Sequence, residues 1–281
     1  MAILDLREIE WSSCTIGAGG MPRAVVTDLD GTLLRSDGSL SMRTISGIHR
    51  AVAEDLLVVY ATARPAASAL TVLADLPQSG FLVSSNGATT MRLSDRRLTR
   101  VRAIPWKVAQ QVVMAIDRDC LGAFWAADCF AGRFTSRSWP GGLASDAAGR
   151  PRIVNRVPVG NDVLCLMVLG DVESVANVLG FRFPIRMTSS SSGLLEISNA
   201  NADKLEAVDV ILRERGLDWA DVLSFGDAPN DNSFLRASRW SFAMGNAHES
   251  TVQAAYYRTA TNNEDGVARV LERLSEGLSG R

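Results

Sequence analysis

Lysine is almost missing from this chain. Of the 29 lysines and arginines only Lys107 and Lys204 are lysine, which leaves 27 arginines. A chain so biased keeps lysine where a compact point charge serves and a wide planar fork does not. Histidine is as scarce: His49 and His248 are too few and too scattered for a zinc site, and Cys14, Cys120, Cys129 and Cys165 form no CxxC pair. Free thiols in a reducing cytoplasm are the expected state. No apolar run approaches the roughly 18 residues of a membrane span. Met1 to Trp11 carries Asp5, Glu8 and Glu10 within its apolar stretch, where an export signal needs a basic start and an unbroken core. A cytoplasmic protein with no membrane partner is therefore expected. The formal net charge of −2 supplies no field to recruit nucleic acid or an anionic surface. Nothing here chooses between monomer and homo-oligomer.

What is present is rhythm. From Ala24 to Leu29 the chain is apolar and stops at a carboxylate cluster. Ser41–Asp55 then places Ile45, Ile48 and Val52 on one helical face. Apolar runs at Leu56–Ala61, Phe81–Ser84, Val222–Phe225 and Trp240–Ala243 read as strands. Ala66–Ala74, Asp203–Gly216, Asn230–Ala237 and Asp265–Leu274 read as helices. Strands alternating with helices predict an α/β fold with a doubly wound parallel sheet, its ligand at the carboxyl ends of the strands. The middle breaks the pattern with turns such as Trp139-Pro140-Gly141-Gly142 and strand-like Ala123–Ala126 and Val163–Leu169. It reads as an inserted α+β cap. The expected division is an extension at 1–20, a core at 21–88 and 188–281, and a cap at 89–187.

Four strand ends carry polar groups. The first is Thr27-Asp28-Leu29-Asp30-Gly31-Thr32, where an extended backbone puts Asp28 and Asp30 on one side and Gly31 lets the chain turn away. Two close carboxylates repel unless a hard cation accompanies them. The second is Ala61-Thr62-Ala63-Arg64-Pro65, a hydroxyl and free N–H groups at a helix start, suited to an anion. The third is Asp203-Lys204, and the fourth is Gly226-Asp227-Ala228-Pro229-Asn230-Asp231. Taken singly these are an Asp-Gly turn, a helix cap, a solvated lysine and an Asx-turn. Together they are more specific, because a parallel sheet brings all four loops to one edge. Carboxylates there imply a cation, and Thr plus Lys imply an anion beside it: a phosphate–Mg²⁺ site with a carboxylate nucleophile in reach.

Asp28-Leu29-Asp30-Gly31-Thr32-Leu33-Leu34 resembles the first motif of the haloacid dehalogenase-like phosphatases, and Thr62, Lys204 and Gly226–Asp231 match the other three. Ala61–Pro65, Ser85-Asn86-Gly87-Ala88, Ala243–Ala247 and Asn263–Ala268 narrow the resemblance to the Cof-type branch. The resemblance spans about Val25 to Leu274 and is thin between Thr90 and Arg186. It implies Asp28 as nucleophile and metal ligand. It implies Asp30 as general acid/base that lends its backbone carbonyl to the metal, and Asp227 as the third metal contact. Thr62, the N–H of Ala63, Lys204 and Asn230 would hold phosphate. Asp231 would support the metal's waters, with Arg64 and Asn86 in supporting places. Leu205 and Ala63 stand where the family often has Gly.

Only 34 positions separate Asp28 from Thr62, but 142 separate Thr62 from Lys204. A lid therefore fits after the third strand, and a lid of that size favours small phosphorylated metabolites. Trp125, Arg133, Arg137, Trp139 and Arg182 are candidates for its mouth. Two other functions fit the same residues: a phosphosugar mutase that needs a bisphosphate activator, and a phosphate-ligand sensor without turnover.

Overall fold

The computed structural model describes residues 4–5, 20–137, 151–189 and 194–279. In chain order the strands β1 (Leu4–Asp5), β2 (Ala24–Thr27), β3 (Leu57–Ala61), β4 (Phe81–Ser84), β5 (Thr89–Arg92) and β6 (Arg97–Val101) begin one sheet. The chain then builds a second sheet from β7 (Phe124–Cys129), β8 (Gly132–Thr135), β9 (Arg152–Ile153), β10 (Val163–Leu169), β11 (Ile185–Ser189) and β12 (Leu194–Asn199). It returns to the first with β13 (Val222–Gly226), β14 (Trp240–Ala243) and β15 (Tyr257–Arg258). The first sheet runs β1-β15-β14-β13-β2-β3-β4-β5-β6 and the second β11-β12-β10-β7-β8-β9. Neighbours from β1 through β4 are parallel, and β5 and β6 are antiparallel additions.

The central strands are apolar at successive positions because both faces are covered. Val25, Val58, Leu82 and Leu223 pack with Ile48 of α1 (Met42–Ala53), Ala69 of α2 (Ala66–Val72) and Val270 of α7 (Gly266–Ser279). Their neighbours Val26, Val59, Val83 and Val222 turn to the other face. There they meet Val208 and Ile211 of α5 (Lys204–Glu214) and Phe234 of α6 (Asn232–Ala237). Ser41 caps α1 by accepting from the Thr44 N–H at 3.0 Å, and Asp203 caps α5 by accepting from the Glu206 N–H at 3.2 Å. Such caps satisfy backbone donors that the first helical turn leaves without partners.

The second sheet is the cap. One of its faces carries Trp125, Ala127, Leu166, Val168, Leu195 and Ile197. These pack on α3 (Trp106–Asp119) and α4 (Val172–Leu179) through Val112, Val113, Ile116, Val175 and Leu179. The opposite face, with Ala126, Cys165 and Met167, looks toward the core. The chain crosses between the sheets in two places that are tied together. Ile104 and Val163 exchange backbone hydrogen bonds of 2.7 and 2.9 Å, and the Asn199 amide donates to the Ala103 carbonyl at 2.7 Å.

Sheet membership differs from the expected boundaries at 89 and 187. The β5–β6 hairpin extends the core sheet past 89 as far as Val101, and past 187 β12 joins the cap strand β10 and pairs with β11 as far as Asn199. In β6, an edge strand, exposed Arg97, Thr99 and Val101 alternate with better-covered neighbours, so its composition hides it among loop residues. Within the expected extension, Leu4–Asp5 pairs in parallel with β15. Trp139 and the serines at 190–192 lie outside the described residues. Of the other mouth candidates, Trp125 is fully buried in the cap core, donating to Asp117 at 3.1 Å. Arg137 covers the Phe124 ring and Arg182 the Phe183 ring. Arg133 is buried in an ion pair with Asp128, its partner across the β7–β8 register.

Candidate active site

Register places three of the four polar loops level; the Asp203-Lys204 loop, expected at a strand end of the same sheet, instead follows the cap strand β12 and reaches the site as the start of α5. Thr27 lies opposite Tyr60 on one side and Phe225 on the other, so the residues that follow leave the sheet together at its carboxyl edge. The Asp28 N–H still donates to the Phe225 carbonyl (3.1 Å), which fixes its side chain at the strand end. Gly31 makes the turn that follows possible. Its φ is +76°, and a Cβ there would lie 2.3 Å from Asp227 Oδ2. Gly226 is constrained by space alone, since a Cβ would lie 2.6 Å from that of Asp231.

Lys204, the first residue of α5, is buried and reaches two buried carboxylates: its Nζ donates to Asp28 Oδ1 at 2.7 Å and to Asp231 Oδ1 at 2.8 Å. Burial alone would lower the Lys204 amine, but the charges of Asp231 and Asp28 outweigh it and hold it above its ordinary value. Asp231 Oδ2 accepts from the backbone N–H groups of Asp227 and Ala228, both at 3.2 Å. Asp227 accepts from the Thr32 hydroxyl at 2.8 Å. Burial, then the Asp231 charge, pushes the Asp227 carboxyl up to about 6. Burial raises Asp28 well above the usual carboxylate range against the opposing pull of Lys204. Asp28, Asp227 and Asp231 each offer one oxygen, all within 4.8 Å of one another. Among the described residues these are the donors gathered closely enough for a shared ion. They are hard oxygens, and they crowd negative charge that a hard dication would relieve.

Asp30 takes another direction. Its carboxylate receives two hydrogen bonds from Arg64, from Nε at 2.7 Å and Nη2 at 2.6 Å. It stands outside the carboxylate trio. Asp231, expected behind the metal's waters, is the third carboxylate of the trio, with Oδ1 held by Lys204 and Oδ2 by two backbone N–H groups. Thr62 is buried, its hydroxyl accepting from the Arg64 N–H at 3.1 Å. Ala63 lines the same cavity. Asn230 donates to Asn86 Oδ1 at 3.1 Å, and Asn86 donates to Glu196 Oε2 at 2.6 Å. Asn86 adopts left-handed φ and ψ of 53° and 34°, which turn its amide toward both partners.

These groups floor a cavity of about 590 Å³ between core and cap, a size suited to a small metabolite. Of this lining, sequence reasoning named Asp28, Asp30, Thr62, Ala63, Arg64, Asp227 and Asn230. It missed the roof, Asp128, Cys165, Met167, Thr188 and Glu196, and also Asn246 and His248. Cys165 belongs to none of the four motifs, yet it lines this cavity.

Comparison with known proteins agrees with this fold. The haloacid dehalogenase-like hydrolase family model matches residues 25–128 and 166–271. The chain belongs to the haloacid dehalogenase-like hydrolases. Its motifs place it in the Cof-type branch of that family. It is similar to a protein of Haemophilus influenzae named as a phosphatase, with 28% identity over 265 residues, covering 90% of this chain and 98% of the relative. It is also similar to 5-amino-6-(5-phospho-D-ribitylamino)uracil phosphatase YcsE of Bacillus subtilis, 23% identical over 253 residues, covering 89% and 94%. A solved haloacid dehalogenase-like hydrolase from Bacteroides thetaiotaomicron superposes with a TM-score of 0.79 at 25% identity, covering 90% and 99%. Among the described residues of this hydrolase no helix is long and apolar enough to cross a bilayer.

Proposed function

We propose that this hydrolase is a Mg²⁺-dependent phosphatase that cleaves small phosphate monoesters through a phosphoryl group carried on Asp28. One observation carries the proposal: a buried carboxylate at a strand end, 2.7 Å from a buried lysine and beside two further carboxylates, faces a cavity of metabolite size. The oxygen donors of Asp28 and Asp227, with the backbone carbonyl of Asp30 and with Asp231 close by, suit Mg²⁺. When bound, Mg²⁺ supplies positive charge between the Asp28 carboxylate and the phosphate oxygens.

The chain's own residues supply the rest. Lys204 holds Asp28 Oδ1, which leaves Oδ2 to attack phosphorus in line. As the new O–P bond forms, the bond to the leaving alcohol breaks, and Asp30 gives that oxygen a proton. Asp30 then takes a proton from the water that attacks the same phosphorus, which releases inorganic phosphate and restores Asp28. The Thr62 hydroxyl, the Ala63 N–H, Lys204 and Asn230 stabilise the equatorial oxygens. Arg64 orients Asp30, and Asn86 orients Asn230. The cap closes over the ester and excludes water and larger substrates. The names of the relatives support phosphorylated metabolites as the substrate class.

The test is release of inorganic phosphate from a panel of metabolite monophosphates, with and without Mg²⁺ and with no bisphosphate added. Release that needs the metal is expected. Full release in excess chelator would remove the metal assignment, and release only on adding a bisphosphate would point to a mutase.

A further inference from the structure

The roof of the cavity has a chemistry of its own. Glu196 sits on β12 between Leu195 and Ile197, which face the cap helices, so its side chain projects from the opposite face into the cavity. Asn86 of the core holds Oε2 at 2.6 Å, while Oε1 has no hydrogen-bond partner among the described residues. A second carboxylate, Asp128, lines the same roof, and Arg133 engages it from within the cap. Met167 and Cys165 form an apolar strip beside them. Among the described residues, the arginine that lines this cavity is Arg64, already engaged with Asp30 on the floor.

We infer that Glu196 is a specificity-determining residue. It accepts a hydrogen bond from a hydroxyl or amino group of the leaving alcohol, and the roof rejects substrates with a second anionic group at that end. This rests on the phosphatase function proposed above and names its substrate class: monophosphates of neutral or cationic alcohols that carry hydrogen-bond donors. An ionised carboxylate only accepts, so it pairs with donors and leaves another carboxylate or phosphate without a partner. Within a partly closed cavity, like charges repel far more strongly than in water. The Met167 and Cys165 strip suits the carbon skeleton of such an alcohol. The hydrogen bond from Asn86 keeps the Glu196 carboxylate pointed into the cavity and joins it, through Asn230, to the proposed phosphate seat.

Sorbitol 6-phosphate and 6-phosphogluconate test this directly. Both are open-chain six-carbon monophosphates, and they differ at the far carbon, which is an alcohol in one and a carboxylate in the other. The expected kcat/KM ratio with Mg²⁺ favours sorbitol 6-phosphate by about tenfold or more, the scale of one uncompensated charge contact. In Glu196→Gln that ratio falls toward unity, chiefly because 6-phosphogluconate improves. The ratio is internal to each protein, so partial loss of folded material does not move it. Calorimetric Kd values of both ligands on Asp28→Asn protein, with and without Glu196→Gln, give the same comparison without turnover. Selectivity in Kd with no phosphate release by the protein with Asp28 intact would overturn the phosphatase function and leave the role of Glu196 standing. Equal Kd values in the presence of Glu196, or a ratio that Glu196→Gln leaves unchanged, would overturn the role of Glu196.

Discussion

Arg64 grips Asp30 through two parallel hydrogen bonds, 2.7 and 2.6 Å long, that join the loop after β3 to the loop after β2. Two-point contact fixes the orientation of a carboxylate, which a single-point ammonium does not. Arg64→Lys should therefore leave Asp30 with a cationic neighbour but less well aimed. Turnover of alkyl phosphates should fall by about tenfold, the cost of misplacing a group whose proton transfer contributes roughly 10²–10⁴-fold. Turnover of p-nitrophenyl phosphate should fall less, because nitrophenolate leaves without needing a proton. Steady-state kcat on both esters decides it. Equal losses would make Arg64 a substrate-binding group instead of a positioning residue.

Lys204 carries the second prediction. Its amine touches two buried carboxylates. Removing it should cost roughly 10²-fold or more in turnover, as for loss of one preorganised donor. Lys204→Arg should rescue poorly, since a guanidinium does not fit a buried seat shaped for a point charge. Lys204→Ala should also destabilise the fold, by about 3–5 kcal/mol if both carboxylates stay ionised and unpaired. Urea denaturation measures that loss. An arginine variant with wild-type turnover would show that the near-absence of lysine elsewhere has no bearing on this position.

The floor of the site was legible because three motifs end the neighbouring strands β2, β3 and β13, whose parallel register brings them to one edge, and the fourth opens α5 beside them. Legibility stopped at the cap. Glu196 lies in Leu194-Leu195-Glu196-Ile197, where period-2 alternation puts it opposite the buried Leu195 and Ile197. Alternation identifies that face but does not distinguish a cavity from bulk solvent. A polar residue on the outer face of a sheet ordinarily meets water, and only the fold of cap over core turns that face inward. Asp128 and its pairing with Arg133 were hidden differently. The two residues pair across the β7–β8 register, which a sequence with no turn signature at Phe130-Ala131 does not declare. The β5–β6 hairpin falls on the cap side of the expected boundary because its arginine-rich edge strand reads like a loop.

The cysteines give a prediction in pH. Burial pushes the Cys129 thiol up to about 12, and burial also raises Cys120 and Cys165. All three are neutral thiols at pH 8, and the thiolate is the reactive form. Iodoacetamide at pH 8 should leave Cys120, Cys129 and Cys165 unmodified in native protein and alkylate them in urea, as peptide mapping would show. The sign carries over to stability. A thiol whose folded pKa is raised stabilises fully below its unfolded pKa, and that contribution is lost as pH rises from there through the folded value. The urea midpoint should therefore decline above about pH 8.5, where unfolded cysteines begin to ionise. Rapid native labelling of Cys165 would mean that the cap opens far enough to expose its inner face.

The two aspartates of the first motif should separate cleanly. Asp28→Asn should abolish turnover of every ester, because an amide forms no acyl phosphate. Asp30→Asn removes a group needed twice, as acid in the first step and as base in the second. With p-nitrophenyl phosphate the first step needs little acid help, so Asp28 is still phosphorylated. The second step lacks its base, and the aspartyl phosphate accumulates. A burst of up to about one equivalent of nitrophenol should appear, followed by slow turnover, the kinetic mark of a covalent intermediate whose breakdown limits the rate. An alkyl phosphate should give a much smaller burst, since its leaving oxygen still wants the proton. Arg64 sharpens the comparison. The amide introduced by Asp30→Asn keeps a carbonyl oxygen for one of the two guanidinium bonds, so the loop is expected to hold its place while the proton-carrying group is gone. Intact-mass spectra of the acid-quenched variant would carry the added phosphoryl group, and those of the double variant Asp28→Asn with Asp30→Asn would not. If Asp30→Asn shows neither burst nor mass increase while Mg²⁺ still raises its thermal midpoint, proton transfer belongs to another residue.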